Sequence, residues 1–152
     1  MPIRVLAVGK KHESWVAEGI ERYQKRLKVP FLVEWVLMAH SAFDESKARQ
    51  DESERILLKL TAHDYVVLLD ERGKALDSPG LAKVLGDQLD QSRNIIVIIG
   101  GAYGVNDELR NRANLVWSLS PLVYPHQLVR LVLTEQLYRA QQIASGGPYH
   151  HE

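Results

Sequence analysis

Residues 94–104 read NIIVIIGGAYG. Ile95 to Ile99 are five β-branched residues in succession, too short a run for a membrane span and rich in strand formers. A strand with one solvated face alternates apolar and polar side chains. A strand that is apolar at every position needs cover on both faces, which is the condition of a central parallel strand with helices above and below it. The run ends at Gly100 and Gly101, with Gly104 three positions on. Either the chain makes a tight turn into a helix there, or its backbone passes something closely enough that a side chain would collide.

Working outward, YVVLL at 65–69 has the same doubly apolar character, and Ile3–Gly9, Phe31–Met38 and Leu115–Leu119 are further strand-like runs. The segments between them have helical spacing. Ser14–Lys28 repeats Val16, Ile20, Tyr23 and Leu27, and the polar stretch Asp44–Leu60 carries Ile56, Leu57 and Leu60 as a surface helix would. Asp77, Ser78, Pro79 and Gly80 open a helix with Leu81, Val84, Leu85 and Leu89 on its buried stripe. A short polar helix over 107–112 and a long one from His126 to Ala144 complete the series. Five strands alternating with five helices predict an α/β fold with one open, mostly parallel sheet flanked by helices. The chain of 152 residues has no internal repeat and no linker-like stretch before SGGPYHHE, so a single domain over 1–152 is expected.

Composition narrows the chemistry. Nineteen Lys and Arg balance nineteen Asp and Glu, which argues against a broad basic surface for naked nucleic acid. The absence of cysteine removes disulfides and thiolate metal sites. In MPIRVLAVGKKHES the lysines follow the apolar stretch, the reverse of a secretory signal, and no run is long enough to span a membrane. A cytoplasmic protein with no membrane partner and no metal is expected.

In an open α/β sheet, ligands bind outside the carboxyl ends of the strands. Three such ends stand out: LLDERGK at 68–74, IIGGAYG at 98–104 and SLSPLVYPH at 118–126. None matches a dinucleotide fingerprint or a phosphate loop. The last is apolar yet held irregular by two prolines, so it either walls a pocket for a heteroaromatic ring or packs under a neighbouring subunit. His126 reads as a structural hydrogen-bonder or as a catalyst. On the long helix Leu128, Val129, Leu131, Val132, Leu133 and Leu137 leave only a narrow polar stripe through Arg130, Thr134 and Gln141. That is more apolar surface than one sheet covers, and a homodimer is predicted. Lys10 and Lys11, with Arg22, Lys25, Arg26 and Lys28, form either solvated ends or a phosphate-contacting patch. The tail Pro148, Tyr149, His150 and His151 is either a frayed end or a movable arm with a stacking ring and titratable groups.

Together AVGK at 7–10, ERYQKRL at 21–27, LLDERGK, IIGGAYG, WSLSPLVYPHQLVRLVLTEQLYRA at 117–140 and the closing PYH at 148–150 resemble the ribosomal RNA large-subunit methyltransferase H family. These small SPOUT-class enzymes methylate N3 of a pseudouridine in 23S rRNA, and the resemblance runs the whole length of the chain. It implies a SPOUT-type C-terminal trefoil knot and S-adenosylmethionine as methyl donor. By the same resemblance Leu69, Gly100, Leu119, Ser120, Pro121, Leu122, Val123 and Tyr124 bind the cofactor, with Gly100 and Gly101 letting backbone pack against it. Tyr149 and His150 are implied to be catalytic, positioning the pseudouridine from the tail of a partner subunit, with His150 a candidate proton acceptor. The implied substrate is helix 69 of 23S rRNA in the assembled ribosome, which suits a neutral chain. Methyl transfer from a sulfonium is a direct displacement, so no nucleophilic triad is required. Two positions depart from the family pattern: His151 stands where relatives carry Arg or Lys, and Val123 where they carry Thr. The changed tail leaves a rival, a noncatalytic nucleotide- or ribosome-binding α/β module. A phosphate-binding hydrolase would need a nucleophile beside a base, and no such signature is present.

Overall fold

The computed structural model describes residues 2–151. Met1 and Glu152, the outermost positions of the single domain expected over 1–152, lie outside the described residues. The elements in chain order are β1 (Ile3–Val8), α1 (Ser14–Gln24), β2 (Val33–Met38), α2 (Glu45–Leu57), β3 (Tyr65–Ala75), α3 (Ser78–Asp90), β4 (Ile95–Ile99), α4 (Asp107–Arg112), β5 (Leu115–Ser118) and α5 (His126–Ala144). The strands form one sheet in the order β2-β1-β4-β3-β5, and every neighbouring pair is parallel.

The apolar run at 95–99 explains the layering. All five residues of β4 are buried, and they alternate between two cores. Ile95, Val97 and Ile99 join Ile3, Val5, Ala7 and Val67 under α3 and α5, with Leu81, Leu85, Leu133 and Leu137 above them. Ile96 and Ile98 join Leu6, Val8, Val66 and Leu68 on the opposite face, covered by Ile56 of α2 and Leu109 of α4. Each fully buried isoleucine is worth roughly 1.5–3 kcal/mol relative to an exposed one, so neither face tolerates a polar residue.

This topology also places a cleft. The chain leaves β3 for α3 on one face and leaves β4 for α4 on the other, so the carboxyl ends of these adjacent strands are a switch point where the connections diverge. The sequence suggests that β3 stops at Leu69, but it continues to Ala75. Trp117 of β5 pairs with both Leu69 and Lys74, so residues 70–73 loop out of the ladder between them. Gly73 makes the return possible: a Cβ there would lie 2.6 Å from Val116 O and 2.9 Å from Trp117 N. Both are backbone atoms of β5 and cannot rotate away. The Gly73→Ala variant is therefore expected to lose about 1–3 kcal/mol, lowering Tm by roughly 3–10 °C in a thermal melt. An unchanged Tm would show that β3 and β5 separate freely.

Candidate functional site

Three loops meet at the switch point around a cavity of about 470 Å³, within the range of small-molecule sites. Its walls are residues 68–72 in and around the looped-out part of β3, Ile99 to Ala102 with Gly104 and Val105 at and after the end of β4, and residues of the segment from Leu119 to His126 with Val129 of α5. Of the positions singled out from sequence, Leu69, Gly100, Leu119, Ser120, Leu122, Val123 and Tyr124 line this cavity, and Pro121 is not among its lining residues. Leu122 and Val123 are 66% and 78% exposed, so the apolar loop offers its side chains at the cavity mouth instead of burying them. Ser120 Oγ accepts from Leu122 N–H (3.0 Å), which shapes the turn between the prolines. His126 lines the cavity as the first residue of α5.

Asp70 is the charged group built into the wall. Desolvation, the largest influence, pushes its carboxyl up, but hydrogen bonds from the Arg72 N–H and from the Arg110 and Arg72 guanidiniums outweigh it and bring the pKa down to about 2. Arg110 of α4 contacts Asp70 Oδ2 directly, tying α4 to the end of β3. The cavity therefore carries a fixed carboxylate balanced by two guanidiniums.

The glycines have a different neighbour from the expected ligand. A Cβ on Gly101 would lie 2.5 Å from Glu52 Oε1 and 3.3 Å from Val8 Cγ1, and one on Gly100 would lie 3.1 Å from Val105 Cγ1. Their backbone faces the cavity, while the side-chain space of Gly101 is filled from behind by a carboxylate of α2. Gly104, at φ +75°, closes the turn with its N–H on Gly101 O (3.1 Å).

Tyr149 and His150 lie apart from this cavity, folded back on α5. The Tyr149 hydroxyl donates to Glu135 Oε2 (2.8 Å), its ring meets Tyr138 edge-on at 4.8 Å, and the Arg139 guanidinium lies over its face at 4.8 Å. Burial first, and the bond to Glu135 second, raise its pKa to about 12, so this phenol stays protonated. Arg139 also donates to Glu135 Oε2 (2.8 Å) and reaches His150 Nδ1 at 3.1 Å. A guanidinium has no acceptor, so Nδ1 must accept and the neutral ring carries its proton on Nε2. Nε2 has no partner. His150 lines a second cavity with Trp117, Val132, Gln136 and Leu119, and Leu119 also walls the first. Sequence reading missed Glu135 and Arg139; their i, i+4 spacing on α5, fourteen and ten residues before the tail's tyrosine, was the available signal.

The narrow polar stripe of α5 faces inward: Arg130, Thr134 and Gln141 are all buried. Arg130 Nη2 donates to Val8 O (3.2 Å) and Gly9 O (3.0 Å), and Nη1 donates to Lys11 O (2.9 Å). Gln141 donates to Arg26 O (3.1 Å) and accepts from Lys28 N–H (2.7 Å). These side chains satisfy loop backbone that has no strand to pair with. The half-exposed side of α5 is instead apolar: Leu128, Leu131 and Val132 share a depression with Trp15 of α1, which is 51% exposed, and with Glu135. Arg22, Lys25, Arg26 and Lys28 are exposed around the end of α1, as are Lys10 and Lys11 after β1. Among the described residues no group of three or more His, Cys, Asp or Glu could hold a metal, and no helix is long and apolar enough to cross a membrane.

Comparison with known proteins adds the remaining findings. A family model described as "Predicted SPOUT methyltransferase" matches residues 1–150. The protein named ribosomal RNA large subunit methyltransferase H of Desulfitobacterium hafniense (strain Y51) is 40% identical over 158 residues, covering 99% of each chain. Its namesake in Alkalilimnicola ehrlichii is 41% identical over 153 residues, again covering 99% of each chain. The one in Synechococcus sp. (strain RCC307) is 43% identical over 148 residues, 97% of this chain and 93% of its own. Among solved structures, a methylase family protein of Neisseria gonorrhoeae superposes with TM-score 0.52 at 14% identity, covering 99% of this chain and 86% of that one, which is a likeness of fold.

Proposed function

The chain belongs to the SPOUT methyltransferase family, and from that premise we propose that it transfers the methyl group of S-adenosylmethionine to N3 of a pseudouridine in large-subunit ribosomal RNA. One observation carries the reading: the three strand ends at Leu69, Gly100 and Leu119–Tyr124, far apart in sequence, wall a single cavity at the switch point of the sheet.

The cavity suits the donor. Leu69, Ile99, Leu122, Val123 and Val129 supply apolar surface for an adenine ring, and the irregular backbone of 119–124 supplies N–H and C=O groups at its edge. Val123 in place of Thr leaves those main-chain groups untouched. When bound, the donor would supply a sulfonium methyl for direct displacement by N3, with S-adenosylhomocysteine as the leaving group and the N3 proton passing to solvent. The chain's share of the work is alignment and management of the charge that develops on the base. With Nδ1 committed to Arg139, His150 offers Nε2–H as a donor to a carbonyl flanking N3, and this reading replaces the expected role of proton acceptor. Tyr149 acts through His150, by fastening the tail to Glu135 and Tyr138.

Two copies are proposed to pair through Trp15, Leu128, Leu131 and Val132. Glu135 borders that face and Val132 lines the cavity with His150, so the tail lies beside the proposed seam, which supports its reaching the donor cavity of the second copy. The knot threading of the segment after β5, the single domain over 1–152 and a cytoplasmic location belong to the same proposal. So does the substrate, helix 69 in the assembled ribosome, since a neutral chain lacks the charge to hold naked RNA nonspecifically.

Calorimetry with S-adenosylmethionine tests the cavity. A tritiated-methyl assay tests transfer, using ribosomes from a strain lacking its own enzyme and free 23S transcript in parallel. Binding and transfer to ribosomes, with the transcript at least tenfold poorer, is the expected result. Equal labelling of transcript would overturn the ribosome requirement, and binding without transfer would leave a noncatalytic module.

A further inference from the structure

We propose that α2 is a clamp for the donor-cavity wall, with Glu52 as its central positioning residue, and that Gly101 is glycine because Glu52 occupies the side-chain space behind it. The inference rests on the reading of the cavity as a donor site. The α2 sequence ESKARQDESERIL is polar, and its exposed residues look like those of an ordinary surface helix. Yet Glu52 is 4% exposed and Ser53 is fully buried. With Arg49 and Gln50 they occupy one side of the helix, and that side faces the loop that follows β4.

Each of these four side chains has a polar atom directed at loop backbone or at the cap of α4. Arg49 Nε donates to Tyr103 O (2.8 Å). Ser53 Oγ accepts from Asn106 N–H (2.9 Å), and Gln50 Oε1 accepts from Asn106 Nδ2 (3.0 Å). Asn106 in turn caps α4 by accepting from Leu109 N–H (2.9 Å). Glu52 Oε2 accepts from Ser41 N–H (2.9 Å) in the loop after β2, while Oε1 is buried against Gly101 without a hydrogen-bond partner among the described residues. One carboxylate thus spans two loops at the carboxyl edge of the sheet. A buried, half-satisfied carboxylate is costly, and what it does here is hold position: it braces the turn Gly101–Gly104 from the side away from the cavity.

The brace separates two explanations of Gly101. If the donor needs the space, any side chain at 101 blocks binding whatever stands at 52. If Glu52 needs it, shortening the acid restores binding. The experiment measures S-adenosylmethionine affinity by calorimetry for the full chain, Gly101→Ala, Glu52→Asp and the double variant. It also measures hydrogen exchange of the Ala102–Asn106 amides in the ligand-free chain for wild type, Glu52→Gln and Glu52→Ala.

Gly101→Ala is expected to weaken binding at least tenfold, and adding Glu52→Asp to bring it back to within about threefold of Glu52→Asp alone. Glu52→Gln keeps an acceptor for Ser41 and should exchange as wild type does, whereas Glu52→Ala should exchange at least tenfold faster in this segment while α3 and α5 are unchanged. A double variant as weak as Gly101→Ala, or Ala102–Asn106 exchange unmoved in Glu52→Ala, overturns the clamp. A wild-type chain that binds no S-adenosylmethionine sinks the donor reading instead, and the exchange measurement still decides the clamp.

Discussion

Replacing His150 by Ala is expected to lower the turnover of methyl transfer by about 10²-fold or more while leaving the affinity for S-adenosylmethionine within about twofold. The separation follows from position. His150 lines a cavity adjoining the donor site, sharing only Leu119 with it, so its loss removes nothing from the donor's own walls. Its ring is oriented by Arg139 on Nδ1, and Arg139 is oriented by Glu135 (2.8 Å), which also receives the Tyr149 hydroxyl. The single free nitrogen therefore bears a proton and acts by donating it in a hydrogen bond. A carbonyl beside N3 gains negative charge as the N3 proton leaves, and a donor held in place is worth most at that moment. Since Gln places an amide N–H close to where Nε2–H stands, His150→Gln should recover part of the lost rate, and a base could not be rescued this way. Single-turnover rates at saturating donor make the measurement. A Gln variant as slow as Ala would restore the general-base role, and a full-speed Ala variant would remove His150 from the reaction.

Exchanging Arg130 for Leu should cost about 3 kcal/mol of stability, a fall in Tm of roughly 6–12 °C. The guanidinium is buried and serves Val8 O, Gly9 O and Lys11 O; only Lys11 O keeps another donor, Gln127 Nε2 at 3.2 Å. Leucine fills much of the volume but leaves two carbonyls of the turn after β1 unpaired. Gly9, at φ +125°, adopts a backbone conformation open to glycine, and a Cβ there would lie 2.8 Å from Arg130 Nη2, so arginine and turn are fitted to each other.

The same arginine sets a pH signature. Burial first, and the Arg130 charge second, hold the His12 imidazole below its ordinary value of 6.5. The folded chain then binds fewer protons at His12 than the unfolded chain does. This contribution to stability is complete above pH 6.5 and is lost as pH falls through the lowered folded value. In Arg130→Leu the second cause is gone, so the gap in Tm between variant and wild type should narrow as pH falls below about 6.5. A gap that is constant with pH would uncouple His12 from Arg130.

Much of this was already written locally. The doubly apolar runs at 65–69 and 95–99, the helical spacing from Leu81 to Leu89 and the cap at Asp77 specify their elements through neighbours a few residues away, because burial of a strand or helix face has a fixed period. The same logic singled out the three strand ends that wall the cavity. What the sequence left open depends on groups distant along the chain. The polar stripe of α5 has no visible partner until Arg130 meets Lys11, 119 residues earlier, and Gly101 reads as room for a ligand until Glu52 arrives from another helix. The return of β3 past its apparent end at Leu69 depends on the backbone of β5, and the protonated nitrogen of His150 depends on Arg139. Amino-acid order by itself determined the succession of elements and the edge of the sheet where the cavity lies. Tertiary structure alone decided which polar groups face inward and what each one holds, since a buried hydrogen bond is specified by both of its ends and pattern along the chain shows only one.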